Sequence, residues 1–228
     1  MLGKNAMIDF RNYKGFALMR GDSSSEATLL YLSPKKLPIV RVGKKEKVPP
    51  GYAPSGSVDW CEFQLGKTIV PDYYPDWLSE HFGRKIWREE HWPLGKKVFI
   101  KPADRHKRFT GFVTGGTYRK KKRGPYWCSE VVHFVNEWRY YVADGEVISS
   151  GWYSGDEANT PDAPELNAEI PEGFCGALDF GMTTDNRFLL VENNQAYACG
   201  WYNKDAEAYA NWLVAGWDYT KKLAEKQQ

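Results

Sequence analysis

The sequence predicts an α+β protein, and three features carry that expectation. Short apolar pieces separated by turn signals fill residues 1–70, in the manner of strands. Trp138–Ala143 and Glu146–Ser150 flank Asp144-Gly145, a dipeptide suited to a tight hairpin turn. The tail Lys204–Lys226 places Ala208, Trp212, Ala215 and Tyr219 on one face of a helix.

The elements follow in chain order. ATLLYLS and LPIVRV read as strands, with SVDWCEFQL as a further one, and the Pro/Gly/Ser-rich stretch Val48–Ser57 reads as a long loop. Asp76–Trp87 reads as a short helix starting at Pro75 or Asp76, with Gly83 as its weak point. Lys97–Pro102 reads as a strand with Lys101 near its end. A loop or hairpin bearing Gly111, Gly115, Gly116 and Gly124 comes next. Beyond the hairpin, polar, proline-rich residues 156–172 form a connection. Cys175–Phe180 and Arg187–Glu192 are then two strands around a turn at Thr183–Asn186. No internal repeat is visible.

Composition narrows the function. The chain has 228 residues, enough for one large domain or two small ones around a joint core, and a formal net charge of +2, which makes no global case for nucleic acid. Cys61, Cys128, Cys175 and Cys199 are scattered and form no C-x-x-C pair, and His81, His91, His106 and His133 lack ligand spacing. Each histidine therefore reads as a surface or core residue. No apolar run nears the ~20 residues that span a bilayer, and the first residues lack the apolar core of a signal peptide. The expectation is a soluble, cytoplasmic protein.

The strand Phe188–Val191 ends in Glu192-Asn193-Asn194. Such an ending is either a turn or a hard-metal site. Glu192 and Asn194, two apart on an extended segment, share a face, while Asn193 points the other way and reads as structural. Carboxylate and amide oxygens suit Mg²⁺, which binds one or two carboxylates beside a substrate's phosphates. Upstream, Asp179 sits on the adjacent strand. Lys101 and Arg139 are cations for phosphate oxygens, and Gly111 to Gly116 offer backbone N–H groups to cover them. Val131-Val132 offers an apolar slot with backbone hydrogen bonds for adenine.

The ordered set VFIKP, SEVVHFVNEWRYYV and LDFGMTTDNRFLLVENN resembles the ATP-grasp superfamily over roughly Val98–Tyr202. The resemblance implies an ATP-grasp fold, in which two α+β subdomains clasp ATP, here preceded by a small N-terminal lobe of short strands and one helix. It divides the chain into residues 1–95 and an ATP-grasp domain over 96–228. It implies that Lys101 contacts the phosphates, that Glu130 reaches adenine at the inter-lobe hinge, and that Glu137 holds the ribose. Asp179, Glu192 and Asn194 would hold two Mg²⁺ ions. EWRYYV is most similar to a divergent bacterial and phage branch related to the assembly chaperones for a translation initiation factor, and by that resemblance Arg139 reaches the phosphates. A second phosphate-binding cation has two candidates upstream, Arg84 and Arg88.

The activity implied is an ATP- and Mg²⁺-dependent ligation of a carboxylate to an amine through an acylphosphate, on a peptide or protein rather than a free metabolite. The Gly111–Gly124 loop would be its lid. The rival reading is a non-catalytic, ATP-binding assembly chaperone. A third reading, nucleic-acid binding through Tyr118–Arg123 beside Tyr126 and Trp127, rests on one short run that includes Lys120–Arg123 and ranks last.

Overall fold

Capping chemistry shapes the first layer. In the structure, a computed structural model that describes residues 8–115 and 122–226, the wholly buried strand β1 (Gly15–Met19) leads into α1 (Ser23–Leu32). Asp22 caps α1 by accepting from the Ser25 N–H at 2.9 Å, and Gly21 takes the φ of +73° that the preceding turn requires. ATLLYLS is therefore helical, not a strand. Leu29 and Leu32, three residues apart, face the core, while Leu30 between them is exposed. SVDWCEFQL is also a helix, α2 (Val58–Leu65), with Ser57 accepting from the Trp60 N–H at 3.4 Å and Gly66 closing it at φ +76°.

β1 is the centre of a parallel three-stranded sheet, flanked by β2 (Ile39–Val42) and β3 (Tyr52–Ser55). β3 lies inside the stretch expected to be a loop. It carries Pro54, which an edge strand tolerates because one side of its backbone makes no ladder bonds. The N-terminal lobe thus holds two α-helices rather than one. The expected helix from Asp76 is a 3-10 stretch, Asp76–His81. Gly83 follows at φ +55°, and Ile86–Glu89 is strand β4.

The second sheet has the order β4-β7-β5-β6, with β5 (Phe99–Pro102), β6 (Phe112–Val113) and β7 (Tyr126–Ser129), all antiparallel. β4 precedes residue 96 and still pairs with β7, so this sheet draws on both sides of the 95/96 division. The third sheet, order β11-β10-β8-β9, is antiparallel and comprises β8 (Phe134–Ala143), β9 (Glu146–Gly155), β10 (Gly176–Thr183) and β11 (Phe188–Asn194). Asp144 and Gly145, at φ +52° and +89°, make the β8–β9 turn with both central residues left-handed, which matches the strand twist. The short connection Glu130–His133 joins the second sheet to the third.

Helix α3 (Ala206–Lys226) binds the lobes together. Trp212 is fully buried and donates its indole N–H to Gly176 O at 3.0 Å. One core cluster joins Tyr209, Trp212 and Leu213 of α3 to Phe16 and Leu18 of β1 and to Tyr141 of β8. Among the described residues no helix is long and apolar enough to cross a membrane, and all four cysteines are free.

Candidate nucleotide and metal site

Strand register assembles the charged centre. Arg139 on β8 stands opposite Asp179 on β10, and Asp179 stands opposite Glu192 on β11, so three strands place three charged side chains in one transverse row. Cross-strand partners share a face, and their Cβ atoms lie ~5 Å apart, which brings the groups into contact. Arg139 donates from Nε and Nη2 to the two oxygens of Asp179 at 2.7 and 2.6 Å. Asn194, two residues beyond Glu192, joins from the same face: its Nδ2 donates to Asp179 Oδ2 at 3.1 Å and to Glu192 Oε1 at 2.9 Å. Asn193 points away, as alternation requires, and donates to Asp72 O at 2.8 Å.

Lys101 reaches the row from the second sheet. Its Nζ contacts Glu192 Oε2 and sits 3.6 Å from the centroid of the Tyr73 ring. Burial pushes the Lys101 ammonium down to about 7, against the pull of Asp179. Burial also disfavours the charge of Arg139, but Asp179 overrides it and holds that pKa above the ordinary arginine value. Glu137, two residues before Arg139, accepts from the Tyr153 hydroxyl. Burial raises its pKa, and the Tyr153 hydrogen bond opposes that rise. The Arg139 guanidinium also lies between the rings of Tyr153 and Tyr202, 5.4 and 5.5 Å from their centroids.

These groups line one end of a cleft of about 720 Å³ between the second and third sheets, a volume in the range of small-molecule sites. Lys101, Gly111, Glu130, Val131, Val132, Glu137, Glu192 and Asn194 all border it. Arg139 and Asp179 lie beneath it in the same row. Val131 and Val132 belong to the connection between the sheets, where two lobes would hinge. Glu130 is exposed at the rim, and its carboxylate accepts from the Lys85 N–H at 2.9 Å. At Gly111 a Cβ would come within 2.4 Å of the Phe99 ring, so this strand can approach β5 only without a side chain.

Of the two upstream cations, Arg84 borders the cleft and Arg88 does not. Arg84 donates to Leu190 O at 2.7 Å and to Phe82 O at 3.0 Å, and burial lowers its pKa. Arg88 donates to Ala103 O at 3.1 Å and lies over the Trp127 ring. Gly116 and the Tyr118–Lys121 part of the basic patch lie outside the described residues.

Sequence reasoning does not reach Tyr73, Tyr74, His106 and Lys107, which also wall the cleft. His106 is a buried residue, but it sits in the cleft wall, edge-on to Tyr73 at 5.1 Å, and burial holds its pKa down at about 3. No spacing signal leads to it. Tyr73-Tyr74 sits between prolines in VPDYYP and reads as loop.

A family profile described as an ATP-grasp domain, family 2 of its clade, matches residues 81–212, more than half of the chain. The chain belongs to that family. The matched span runs from the end of the 3-10 stretch to Trp212 and includes every charged member of the row and Lys101. The ATP-grasp fold is thus established, with mixed strands and helices as the sequence predicts. Among solved structures the chain is similar to D-cycloserine synthetase DcsG, at 12% identity and TM-score 0.49 over 87% of this chain and 98% of that one. It is also similar to a D-alanine–D-alanine ligase from Bacillus anthracis complexed with ATP, at 11% identity and TM-score 0.45 over 94% and 99% of the two chains. A third likeness is to the macrocyclase MdnC bound with precursor peptide MdnA from Microcystis aeruginosa MRC, at 11% identity and TM-score 0.43 over 87% and 99%. A search of curated proteins by sequence gives no match.

The donor set fits a hard cation. Two carboxylates and a primary amide converge from β10 and β11, and amide orientation is free to turn the Asn194 oxygen inward. Asp179 and Glu192 make only a pair of acids; among the described residues no cluster of three or more His, Cys, Asp or Glu side chains forms a metal site. The amide must therefore serve as a ligand.

Proposed function

We propose that this ATP-grasp protein is an ATP-dependent, ADP-forming ligase that joins a carboxylate to an amine. The observation that carries the reading is the Arg139–Asp179–Glu192 row with Asn194 beside it, facing Lys101 at one end of a cleft between two sheets. Asp179, Glu192 and Asn194 would hold Mg²⁺, as two ions. Bound there, magnesium would neutralise phosphate charge and fix the orientation of the triphosphate.

The remaining work falls to this chain's own residues. Val131 and Val132 form the adenine slot, Glu130 stands at its rim, and Glu137 is the ribose acceptor once Tyr153 releases it. Lys101 and Arg139 exchange their carboxylate partners for phosphate oxygens, so ligand entry requires no new buried charge. Arg84 supplies a further positive field. The substrate carboxylate oxygen attacks the γ-phosphorus; the bond from that phosphorus to the bridging oxygen breaks, and ADP leaves. The amine nitrogen then attacks the acyl carbon and loses its proton, the acyl C–O bond breaks, and phosphate leaves. The sheets keep water from the acylphosphate while the amine arrives.

The reading extends to a peptide or protein substrate in the cytoplasm, with no role for nucleic acid. The EWRYYV stretch supports the competing proposal, a bacterial or phage relative of the assembly chaperones that binds ATP with a client and does not turn it over. ADP release separates them. Catalytic ADP formation with an amine and a carboxylate supports the ligase, whereas tight ATP binding without turnover in the presence of any acceptor contradicts it.

A further inference from the structure

Beyond the end of β11 lies a second cavity, of about 200 Å³. It shares His106 and Asn194 with the nucleotide cleft, so those two side chains stand between the cavities. The rest of its wall comes from the 69–77 segment, from Phe174 and Cys175, and from the last third of α3. Three buried polar atoms on this wall have no hydrogen-bond partner: Asn193 Oδ1, Gln195 Nε2 and His106 Nε2. Asn193 Nδ2 is already committed to Asp72 O, which leaves its oxygen as the free acceptor. His106 is 3% exposed, so bulk water does not solvate its ring. An unmet buried polar atom costs about 1–3 kcal/mol, and three around one cavity describe a site complementary to something polar.

The complement can be read from the atoms. An amide oxygen asks for an N–H donor, and an amide nitrogen asks for a carbonyl or carboxylate oxygen. Asp72, on the same wall, favours a cationic amine over a neutral group. Trp77, Phe174 and Leu223 give the remaining surface an apolar character. The volume holds one amino-acid-sized group and falls short of the ~300 Å³ of larger ligand sites. We propose that this cavity is the acceptor subsite, seating one residue that carries a primary amine, a neighbouring carbonyl or carboxylate oxygen and an apolar side chain. That residue comes as a free amino acid or as the N-terminal residue of a peptide. The assignment rests on the ligase reading, because it places the amine beside Asn194, next to the phosphate-binding end of the cleft.

The test is calorimetric titration of leucine, phenylalanine, Leu-Gly-Gly and N-acetyl-leucine into the full chain, with Mg²⁺-ATP titrated separately. The free amino acids and the tripeptide distinguish the two sources. At least one amine binds, and N-acetyl-leucine binds about tenfold more weakly or not at all, since it loses the donor that Asn193 accepts. Gln195→Leu weakens amine binding by about tenfold or more. Leu223→Trp fills the cavity and abolishes amine binding while Mg²⁺-ATP binding, which also reports that the variant is folded, persists. Wild-type protein that binds Mg²⁺-ATP and none of the amines holds only water there, which overturns the assignment. Undiminished amine binding in Leu223→Trp overturns it equally. Amine binding that the variants abolish, with no nucleotide binding, supports the cavity and defeats the nucleotide reading instead.

Discussion

Arg139 and Asp179 are nearly inaccessible and hold each other through two charge-assisted hydrogen bonds. Removing one partner strands the other charge away from water. Arg139→Ala is therefore expected to cost about 3–5 kcal/mol in urea unfolding, well above the roughly 0–1 kcal/mol of a surface pair such as Arg41–Glu26. His106 supplies a pH signature. Its folded pKa, about 3, lies below the ordinary value near 6.5, and the surrounding charges, Lys101 and Lys107, oppose a proton there. Between those values the unfolded chain binds a proton that the folded chain refuses. Its contribution to stability is complete above pH 6.5 and falls away as pH drops towards 3, by up to about 1.4 kcal/mol per unit. The difference in unfolding free energy between wild type and His106→Gln should therefore change between about pH 6.5 and pH 5; a pH-independent difference would contradict the buried, neutral ring. At this scale Glu192, Asn194, Asp179 and Lys101 are legible in the sequence because alternation and strand order are local properties. His106 and Tyr73 are not, because their distance from β11 is set by how the 69–107 segment folds back across the cleft.

Elements are readable where one local rule dominates. The Asp144-Gly145 turn and the 3.6-residue period of α3 each act within a few residues, and both are present as expected. α1 and α2 read as strands because short apolar runs look alike in strands and helices. The deciding signals are the caps Asp22, Ser57 and Gly66, which the apolar pattern outweighs. β1 is hard to see because its glycine and alanine dilute the apolar run. α3 offers a test of packing against propensity. Replacing Gly216 by Ala should stabilise an isolated helix by about 1 kcal/mol. Here a Cβ at Gly216 would come within 2.2 Å of Ala196 O and Ala196 Cβ, in the segment that follows Asn194. Backbone cannot yield cheaply at that distance, so Gly216→Ala is expected to destabilise by about 1–3 kcal/mol. A raised denaturation midpoint would show that α3 stands off from the 195–198 segment.

For the whole molecule, the organising feature is the meeting of two antiparallel sheets across a cleft. One sheet contributes Lys101, and the other contributes the row of Arg139, Asp179 and Glu192. The charges are mutually compensated as they stand, two cations against two carboxylates, so triphosphate and magnesium must enter together for the balance to survive. The 1–95 and 96–228 division remains a proposal about function; structurally β4 and α3 tie the two parts together. Isothermal titration of ATP into the full chain, with and without Mg²⁺ and beside Asp179→Asn and Glu192→Gln, tests the central claim most directly. The account predicts binding that depends on Mg²⁺ and that each variant weakens by about tenfold or more, equivalent to about 1.4 kcal/mol. Binding of equal strength in the absence of Mg²⁺ and in both variants would contradict it, as would a folded wild-type protein that binds no adenine nucleotide.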